Sequence, residues 1–504
     1  MIQSPSIILC TLNAQYIHAA FGLRYILANM GGLQSQTELI EFNIKDEALL
    51  IVEQLLEKKA AIIGFGIYIW NVQETIPVIQ LLKQISPQTK IVLGGPEISY
   101  EWDEQEIVEL ADHIIISEGE VSFPELCQRL LALETDKKVL FGKAPALETL
   151  PFPYSLYSDH DIAHRVLYVE ASRGCPFRCQ FCLSALDKKV RTFPLDDFLS
   201  EMQKLIDRGA RQFKFVDRTF NLSPKSSVRI LEFFLNQKLP DLFLHFEMVP
   251  DRFPDSLREW IVQFPKGTIQ FEVGIQSFNP EVTARIDRRQ NNDKAKENIL
   301  FLNKTGVHLH TDLIIGLPGE DIESFAKGFN ELLGLGVEEI QVGILKRLRG
   351  APIAKQTEEW DMLYRKTPPY EIIQNKSLSF MELADLRRFA RYWNIVGNSG
   401  RFNHTLSLFK ESENAFQSFF HFSKWLFSKA QRTHKISYNN LLQYLLEYWT
   451  EQGQEHDSIL EILCKDYQQT TGKAHRPKFL VGNTSSKSVS SKSGAKRQLR
   501  HLIE

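Results

Sequence analysis

Three cysteines fall in one short window, Cys175-Pro176-Phe177-Arg178-Cys179-Gln180-Phe181-Cys182, behind Arg173-Gly174. Spacing of three and then two residues lets one tight loop wrap three thiolates round a single metal centre. A closed structural zinc site wants four protein ligands. No fourth cysteine or paired histidine stands nearby, so a zinc reading needs a distant ligand. A 4Fe–4S cluster can be held by three cysteines, its fourth iron left open to chelate the amino and carboxylate groups of a small molecule. Three clustered thiols are an odd number and make no disulfide framework. Cys10, Cys127 and Cys464 are isolated in apolar runs and read as small buried hydrophobes.

Such a loop has to be positioned by something rigid. A series of short β-branched runs starts just before it, with strands predicted over 166–171, 212–216, 242–248, 269–274, 308–314 and 338–345. Helical patterns separate them over 197–208, 226–237 and 292–304. Six βα units in about 200 residues suit an open, partial barrel, with chemistry at the C-terminal ends of the strands. An earlier alternation fills the first 135 residues, with strands over 6–12, 37–42, 61–67, 90–94 and 113–117 and helices over 22–30, 47–58, 74–84 and 122–133. That pattern predicts a doubly wound parallel sheet. A connector is expected from 134 to 164. Strand signals stop near Pro369, and 379–396 and 414–468 read as helices rich in Phe, Tyr, Trp and Leu. The fold class is therefore α/β. The expected divisions are a doubly wound domain over 1–145, a partial (βα)6 barrel over 160–365, a helical domain over 366–470 and a basic low-complexity tail over 471–504.

The chain has 504 residues, 43% hydrophobic and 24% charged, which is ordinary globular composition. Its 59 Lys and Arg against 62 Asp and Glu give −3, so no global field points to nucleic acid or an acidic membrane. The basic tail could touch nucleic acid but reads as a solvated segment. The start lacks the basic region of a secretory signal, and the longest apolar run, 60–70, is far below the ~20 residues that cross a bilayer. A cytoplasmic location without membrane contact is expected.

The cysteine loop resembles the CxxxCxΦC loop of the radical S-adenosylmethionine (SAM) superfamily, in which Phe181 would offer its backbone to adenine. The likeness continues through Phe215-Val216-Asp217-Arg218-Thr219-Phe220-Asn221, Phe271-Glu272-Val273-Gly274-Ile275-Gln276-Ser277-Phe278 and Asp312-Leu313-Ile314-Ile315-Gly316-Leu317-Pro318-Gly319-Glu320, each at a predicted strand end. By that resemblance Asp217, Glu272, Gln276, Ser277 and Asp312 would hold the ribose or methionine ends of SAM. Glu247 and Arg252 are further candidates, with a surface ion pair as their other reading. For Glu272 the competing reading is a barrel-interior ion pair with Lys214.

The first domain looks like the cobalamin-binding domain that precedes many of these enzymes. Tyr16 and His18 after the first strand, Gly94-Gly95 after the fourth and Glu118-Gly119 after the fifth would contact the cofactor, the glycines letting backbone approach a planar corrin. Proteins that ligate cobalt through histidine carry Asp-x-His-x-x-Gly. Here the loop reads Tyr16-Ile17-His18-Ala19-Ala20-Phe21-Gly22, without the acid and with glycine one residue late. His18 is therefore expected to line the pocket rather than to be an essential cobalt ligand.

The helices around Asn398-Ser399-Gly400-Arg401-Phe402 look like the tail of an uncharacterised subgroup. The resemblance implies a 4Fe–4S cluster that generates a 5′-deoxyadenosyl radical from SAM, and methyl transfer from cobalamin to an unactivated centre. Two alternatives stand beside it: a non-methylating radical cyclase or rearranging oxidoreductase, and a cobalamin- or redox-sensing regulator that binds nucleic acid. The expected partners are a substrate of unspecified chemistry and a one-electron donor such as flavodoxin or ferredoxin. No side chain stands out as an acid–base catalyst.

Overall fold

The computed structural model describes residues 5–134, 136–472 and 477–480; most of the predicted basic tail lies outside the described residues. The N-terminal elements run β1 (Ile7–Asn13), α1 (Phe21–Ala28), β2 (Thr37–Asn43), α2 (Ala48–Glu57), β3 (Ile62–Gly66), α3 (Val72–Ile85), β4 (Lys90–Gly94), α4 (Glu106–Leu110), β5 (His113–Ile116), α5 (Ser122–Leu131) and β6 (Val139–Phe141). The sheet is parallel, in the order β2-β1-β3-β4-β5-β6. Both faces are buried. Ile8, Cys10, Ile63, Phe65 and Leu93 pack with residues of α2 and α3, and Ile7, Leu9, Ile62 and Val92 pack with residues of α1 and α5. Cys10 and Cys127 are apolar filler, as expected, with burial pushing both thiols up. β6 was read as connector: three residues at a sheet edge are too few to show a period.

The second series opens with α6 (Asp159–His164), β7 (Leu167–Val169), and the two-residue strands β8 (Ser172–Arg173) and β9 (Arg191–Thr192). It continues with α7 (Leu195–Asp207), β10 (Gln212–Phe215), α8 (Pro224–Asn236), β11 (Phe243–Met248), α9 (Asp255–Ile261), β12 (Ile269–Gln276), α10 (Pro280–Arg285), α11 (Asn292–Thr305), β13 (His308–Ile315), α12 (Ile322–Gly334) and β14 (Glu339–Ile344). Six parallel strands stand in sequential order from β7 and β10 to β14, an open barrel. On β12 and β13, Phe271, Val273, Leu309 and Leu313 pack into the outer core. The alternate positions are polar: Gln270, Glu272, His308, His310 and Asp312 turn the other way, so the lumen is not the aliphatic plug of a closed barrel.

A partial barrel leaves two strand edges, and unpaired edge groups are a liability. The neighbouring domains cover both. On the β7 side the loop after β1 pairs with the chain, Val166 N–H donating to Ile17 O at 2.9 Å. Beside β14, the Asn398 side chain accepts from Ile340 N–H at 3.1 Å and donates to Ile340 O at 2.9 Å. The chain then forms a hairpin of β15 (Leu363–Tyr364) and β16 (Ile372–Gln374), a late pair of strands that was not foreseen because each is so short. Five helices follow: α13 (Phe380–Val396), α14 (Asn403–Lys410), α15 (Ala415–Ala430), α16 (Tyr438–Glu451) and α17 (His456–Thr471). A Ser379–Glu382 capping box starts α13. Phe389 and Trp393 of α13 mesh with Phe329 of α12 and Phe416 and Phe419 of α15, joining this domain to the barrel. Among the described residues no helix is long and apolar enough to cross a membrane.

Candidate functional site

The cysteine loop is closed at its base by the antiparallel β8–β9 pair. Gly174 holds φ +89°, and a Cβ there would lie 2.4 Å from Lys189 O, so only glycine fits the turn. Inside the loop, Cys175 N–H donates to Asp187 O at 2.9 Å and Cys182 N–H to Cys179 O at 3.0 Å. All three sulfur-bearing residues line one cavity of about 810 Å³ at the C-terminal ends of the barrel strands, together with Phe181, Glu272, Gln276 and Asp312. Among the described residues no three His, Cys, Asp or Glu groups are placed to share a single ion, which is what a mononuclear zinc site would need. Burial pushes the Cys175 and Cys179 thiols up, opposed at Cys179 by Arg288, whose guanidinium stands 3.5 Å from the sulfur. A coordinating metal deprotonates such thiols outright. Three thiols on one loop beside an open polar cavity, without a fourth, fit a 4Fe–4S cluster with one iron left for a small ligand.

Gln276 is aimed at this cavity by a break in its strand. The β12–β13 register shifts between Gly274 and Gln276, and Gln276 takes φ +70°, a left-handed conformation that costs a non-glycine residue about 1 kcal/mol or more. Glu272, four residues earlier, lies 3.1 Å from His245 Nε2 and not in a bonded pair with Lys214. Burial raises the Glu272 pKa, but the His245 hydrogen bond and the Lys214 and His310 charges outweigh it and hold the group below the usual range. Burial lowers His245, so a neutral imidazole donating Nε2–H to a carboxylate satisfies both groups. Burial, then Glu272, Glu247 and Glu339, push Asp312 well up, and its Oδ1 has no hydrogen-bond partner. Glu247 is pushed up to about 7, by burial first and then Glu272. A buried carboxyl oxygen that makes no hydrogen bond, with His310 Nε2 at 3.6 Å, beside a ligand-sized cavity fits the polar ends of a bound nucleoside.

Two predicted ligands stand elsewhere. Asp217 accepts from Ala171 N–H at 3.0 Å and Ser172 Oγ–H at 2.6 Å, tying the second strand end to the first; burial pushes it up to about 6. Ser277 donates to Glu320 Oε1 at 2.5 Å and accepts from Asn279 N–H at 3.0 Å, which ties the β12 loop to the Leu-Pro-Gly-Glu turn. Neither lines the cavity. Glu247 does line it, and Arg252 stacks on Phe177 with its charge 4.9 Å from the ring, so the two are not an ion pair. The lining also includes Arg218, Thr219 and Arg288, which sequence reasoning passed over. Arg288 follows a short helix rather than a strand; the Arg288-Arg289 pair in a loop was its only signal.

A second cavity, of about 690 Å³, opens in the N-terminal domain between the sheet and α1 and α5. Gly94, Gly95, Glu118 and Gly119 line it, as do the apolar Leu9, Leu23 and Phe123. Glycine is demanded at Gly64, where a Cβ would lie 2.6 Å from the Phe123 ring, and at Gly95, with φ +114° and Ile67 O only 2.4 Å away. A deep apolar slot at the C-terminal edge of a doubly wound sheet fits part of a large planar cofactor. Tyr16 and His18 do not line it. Tyr16 is exposed beneath Arg165, and His18 turns into the barrel, Nδ1 2.6 Å from Tyr168 Oη. Both stand apart from this cavity, where β1's loop runs along the barrel edge.

Two arginines link the cysteine loop to the second cavity. Arg173, two before Cys175, binds Glu118 at 2.9 Å and Glu120 at 2.7 Å on the second cavity's wall, and Glu170 at 2.8 Å at the end of β7. Arg191 on β9 also binds Glu118. Family models match this arrangement: the Radical SAM superfamily over residues 169–332 and the B12 binding domain over 8–127. The chain thus carries a radical SAM domain behind a B12-binding domain. A third model, "Protein of unknown function (DUF4080)", matches 358–503.

Among proteins similar to this chain is the cobalamin-dependent radical SAM methyltransferase TokK of Streptomyces tokunonensis, 25% identical over 58% of this chain and 48% of its own. Another is the 2-(S-pantetheinyl)-carbapenam-3-carboxylate methyltransferase of Streptantibioticus cattleyicolor, 26% identical over 61% and 50%. The chain thus spans about half the length of these two relatives. In fold it is similar to the cobalamin-dependent SAM radical enzyme OxsB (TM-score 0.63, 13% identity, 93% of this chain and 81% of that one). It is similar too to TsrM of Kitasatospora setae (TM-score 0.59, 14% identity, 73% and 82%), solved with cobalamin and a [4Fe-4S] cluster bound. The cofactors that go with these domains are a 4Fe–4S cluster, SAM and cobalamin.

Proposed function

We propose that this chain is a cobalamin-dependent methyltransferase that methylates an unactivated centre by radical chemistry. The observation that carries it is the Arg173 bridge, which sets a three-thiol loop and a glycine-floored slot against each other, so that two cofactors would share one reaction space. When bound, the cluster and SAM supply a 5′-deoxyadenosyl radical and cobalamin supplies a methyl group. This chain's own residues bind, orient and exclude water. Cys175, Cys179 and Cys182 hold the cluster. Gln276, Glu272, Asp312, Glu247 and the Phe181 backbone hold SAM, while Asp217 and Ser277 keep the strand-end loops in place. Gly94, Gly95, Glu118 and Gly119 face cobalamin. The names of TokK and the carbapenam methyltransferase support the methyl-transfer part. We assign the functional divisions to about 1–145, 160–365, 366–470 and 471–504.

The test is anaerobic reconstitution followed by turnover with SAM labelled in its methyl group. Close to four irons and four sulfides per chain are expected, with label in a product. Stoichiometric zinc and no iron in protein never exposed to air would overturn the cluster assignment. 5′-Deoxyadenosine with no methylated product under full turnover would overturn methyl transfer alone.

A further inference from the structure

The outer side of the cysteine loop opens into a cleft of about 890 Å³ that shares Cys179 with the inner cavity. Four arginines line this cleft, Arg178, Arg252, Arg288 and Arg289, against the aspartates Asp251 and Asp287. By contrast, Arg173, Arg191 and Arg349 each meet at least one carboxylate, while Arg218 on the inner cavity is exposed like those of the cleft. Arg178, Arg252 and Arg289 are exposed and have no carboxylate within ion-pair distance among the described residues. Arg252 is braced on the Phe177 ring. Asp251 is engaged by the Asn291 backbone N–H at 3.0 Å. A chain of net charge −3 thus places unpaired positive charge in a cleft that Cys179 lines.

We propose that this cleft docks a small acidic one-electron carrier, a flavodoxin or ferredoxin, and is the point at which the electron enters. The proposal rests on the reading of the three cysteines as a cluster site. One electron leaves the carrier, whose flavin or iron centre is oxidised by one level, and passes to the group held by the three thiolates, which is reduced by one. Electron transfer falls steeply with distance, so the carrier needs the face that Cys179 backs. Opposed charge steers such an encounter and speeds its formation, and weak redox complexes need only small interfaces. An extended single strand of nucleic acid would want a longer basic track with exposed stacking rings. Here Phe177 is covered by Arg252, and two acids stand among the arginines.

The experiment uses the full chain, reconstituted anaerobically and assayed first for iron, with a bacterial flavodoxin as probe. Affinity for the flavodoxin is measured against ionic strength, and oxidation of its reduced flavin by the chain is followed by stopped flow. Wild type should bind with an affinity that falls as salt rises. Arg252→Glu combined with Arg289→Glu should lose roughly ten-fold or more in affinity and electron-transfer rate. Its iron content, visible spectrum and reduction by dithionite should match wild type. Arg252→Gln with Arg289→Gln should lie between the two. If charge reversal changes neither affinity nor rate while dithionite still reduces the protein, the docking assignment is wrong. Salt-sensitive capture of a single-stranded oligonucleotide, with no binding of flavodoxin or ferredoxin, also overturns it. A wild type that takes up no iron sinks the cluster reading and this proposal together, and the iron assay separates that failure from the others.

Discussion

Glu272 was expected to meet either a ribose or Lys214, and it meets His245. That bond leaves the second carboxylate oxygen free for a ligand. Glu272→Gln should weaken SAM binding by roughly ten- to hundred-fold, the loss of one or two buried hydrogen bonds, with iron content unchanged. Equilibrium binding of SAM to the reconstituted protein checks this; unaltered binding would assign Glu272 to the fold. His18 turns away from the cobalamin slot, so His18→Ala should keep most bound cobalamin, read as the corrinoid absorbance that copurifies. Glu320 gives a pH signature. It is 2% exposed, and burial pushes it up to about 7. A raised folded pKa means the folded state holds the proton more tightly. Its contribution is full below the unfolded value and is lost as pH rises through about 7. The loss is on the order of 3 kcal/mol. Melting temperature should therefore fall between about pH 5 and 8, and fall less in Glu320→Gln.

Among elements, the β8–β9 pair and the strand-end loops decide where the three cysteines and the cavity-lining side chains stand. Arg173 on β8 neutralises three carboxylates at once, and Lys cannot match its planar fork. Arg173→Ala leaves Glu118, Glu120 and Glu170 converging without a counter-charge and should cost about 3–5 kcal/mol. Denaturant unfolding measures that loss, and adding Glu170→Gln should restore part of it. No recovery would show that the stacking of Arg173 on Tyr25, 4.7 Å from the ring, matters more than its charge. The polar lumen belongs to this scale too. Strand periodicity gives the alternation, but which face is the lumen depends on the barrel's curl.

Over the whole molecule, several seams lock the N-terminal domain to the barrel. Among them are the Val166–Ile17 pairing with His18 on Tyr168, the buried Arg24–Asp161 and Arg165–Glu41 pairs, Arg173, and the bonds from Glu97 to Tyr370 Oη at 2.5 Å and to Arg349 at 3.1 Å. Burial raises Glu97, opposed by the bonds from Tyr370 and Arg349. With the seams intact, hydroxocobalamin bound in the N-terminal slot should stabilise the barrel as well. At a hundred times its Kd the gain is about 2.7 kcal/mol in one cooperative transition. Calorimetry showing two transitions, with only one moved by cobalamin, would mean that the domains unfold separately.

The sequence by itself determined the features written in local spacing. The cysteine loop, the β-branched runs of both sheets, the glycines at the strand ends of the first domain and the aromatic helices after Pro369 are each legible within a few residues, because backbone period and turn chemistry are local. Gln276 at the cavity was legible from its strand end, although its bulge was not. Only the tertiary structure decided the rest. Arg288 reaches Cys179 across 109 positions, Arg173 reaches Glu118 across 55, and Asn398 covers β14 across 58. His18 bonds Tyr168 across 150 positions, and Asp217 bonds Ala171 and Ser172 across 46 and 45. Polar groups bond with whatever the fold brings within 3 Å, and no local pattern in the chain records that choice.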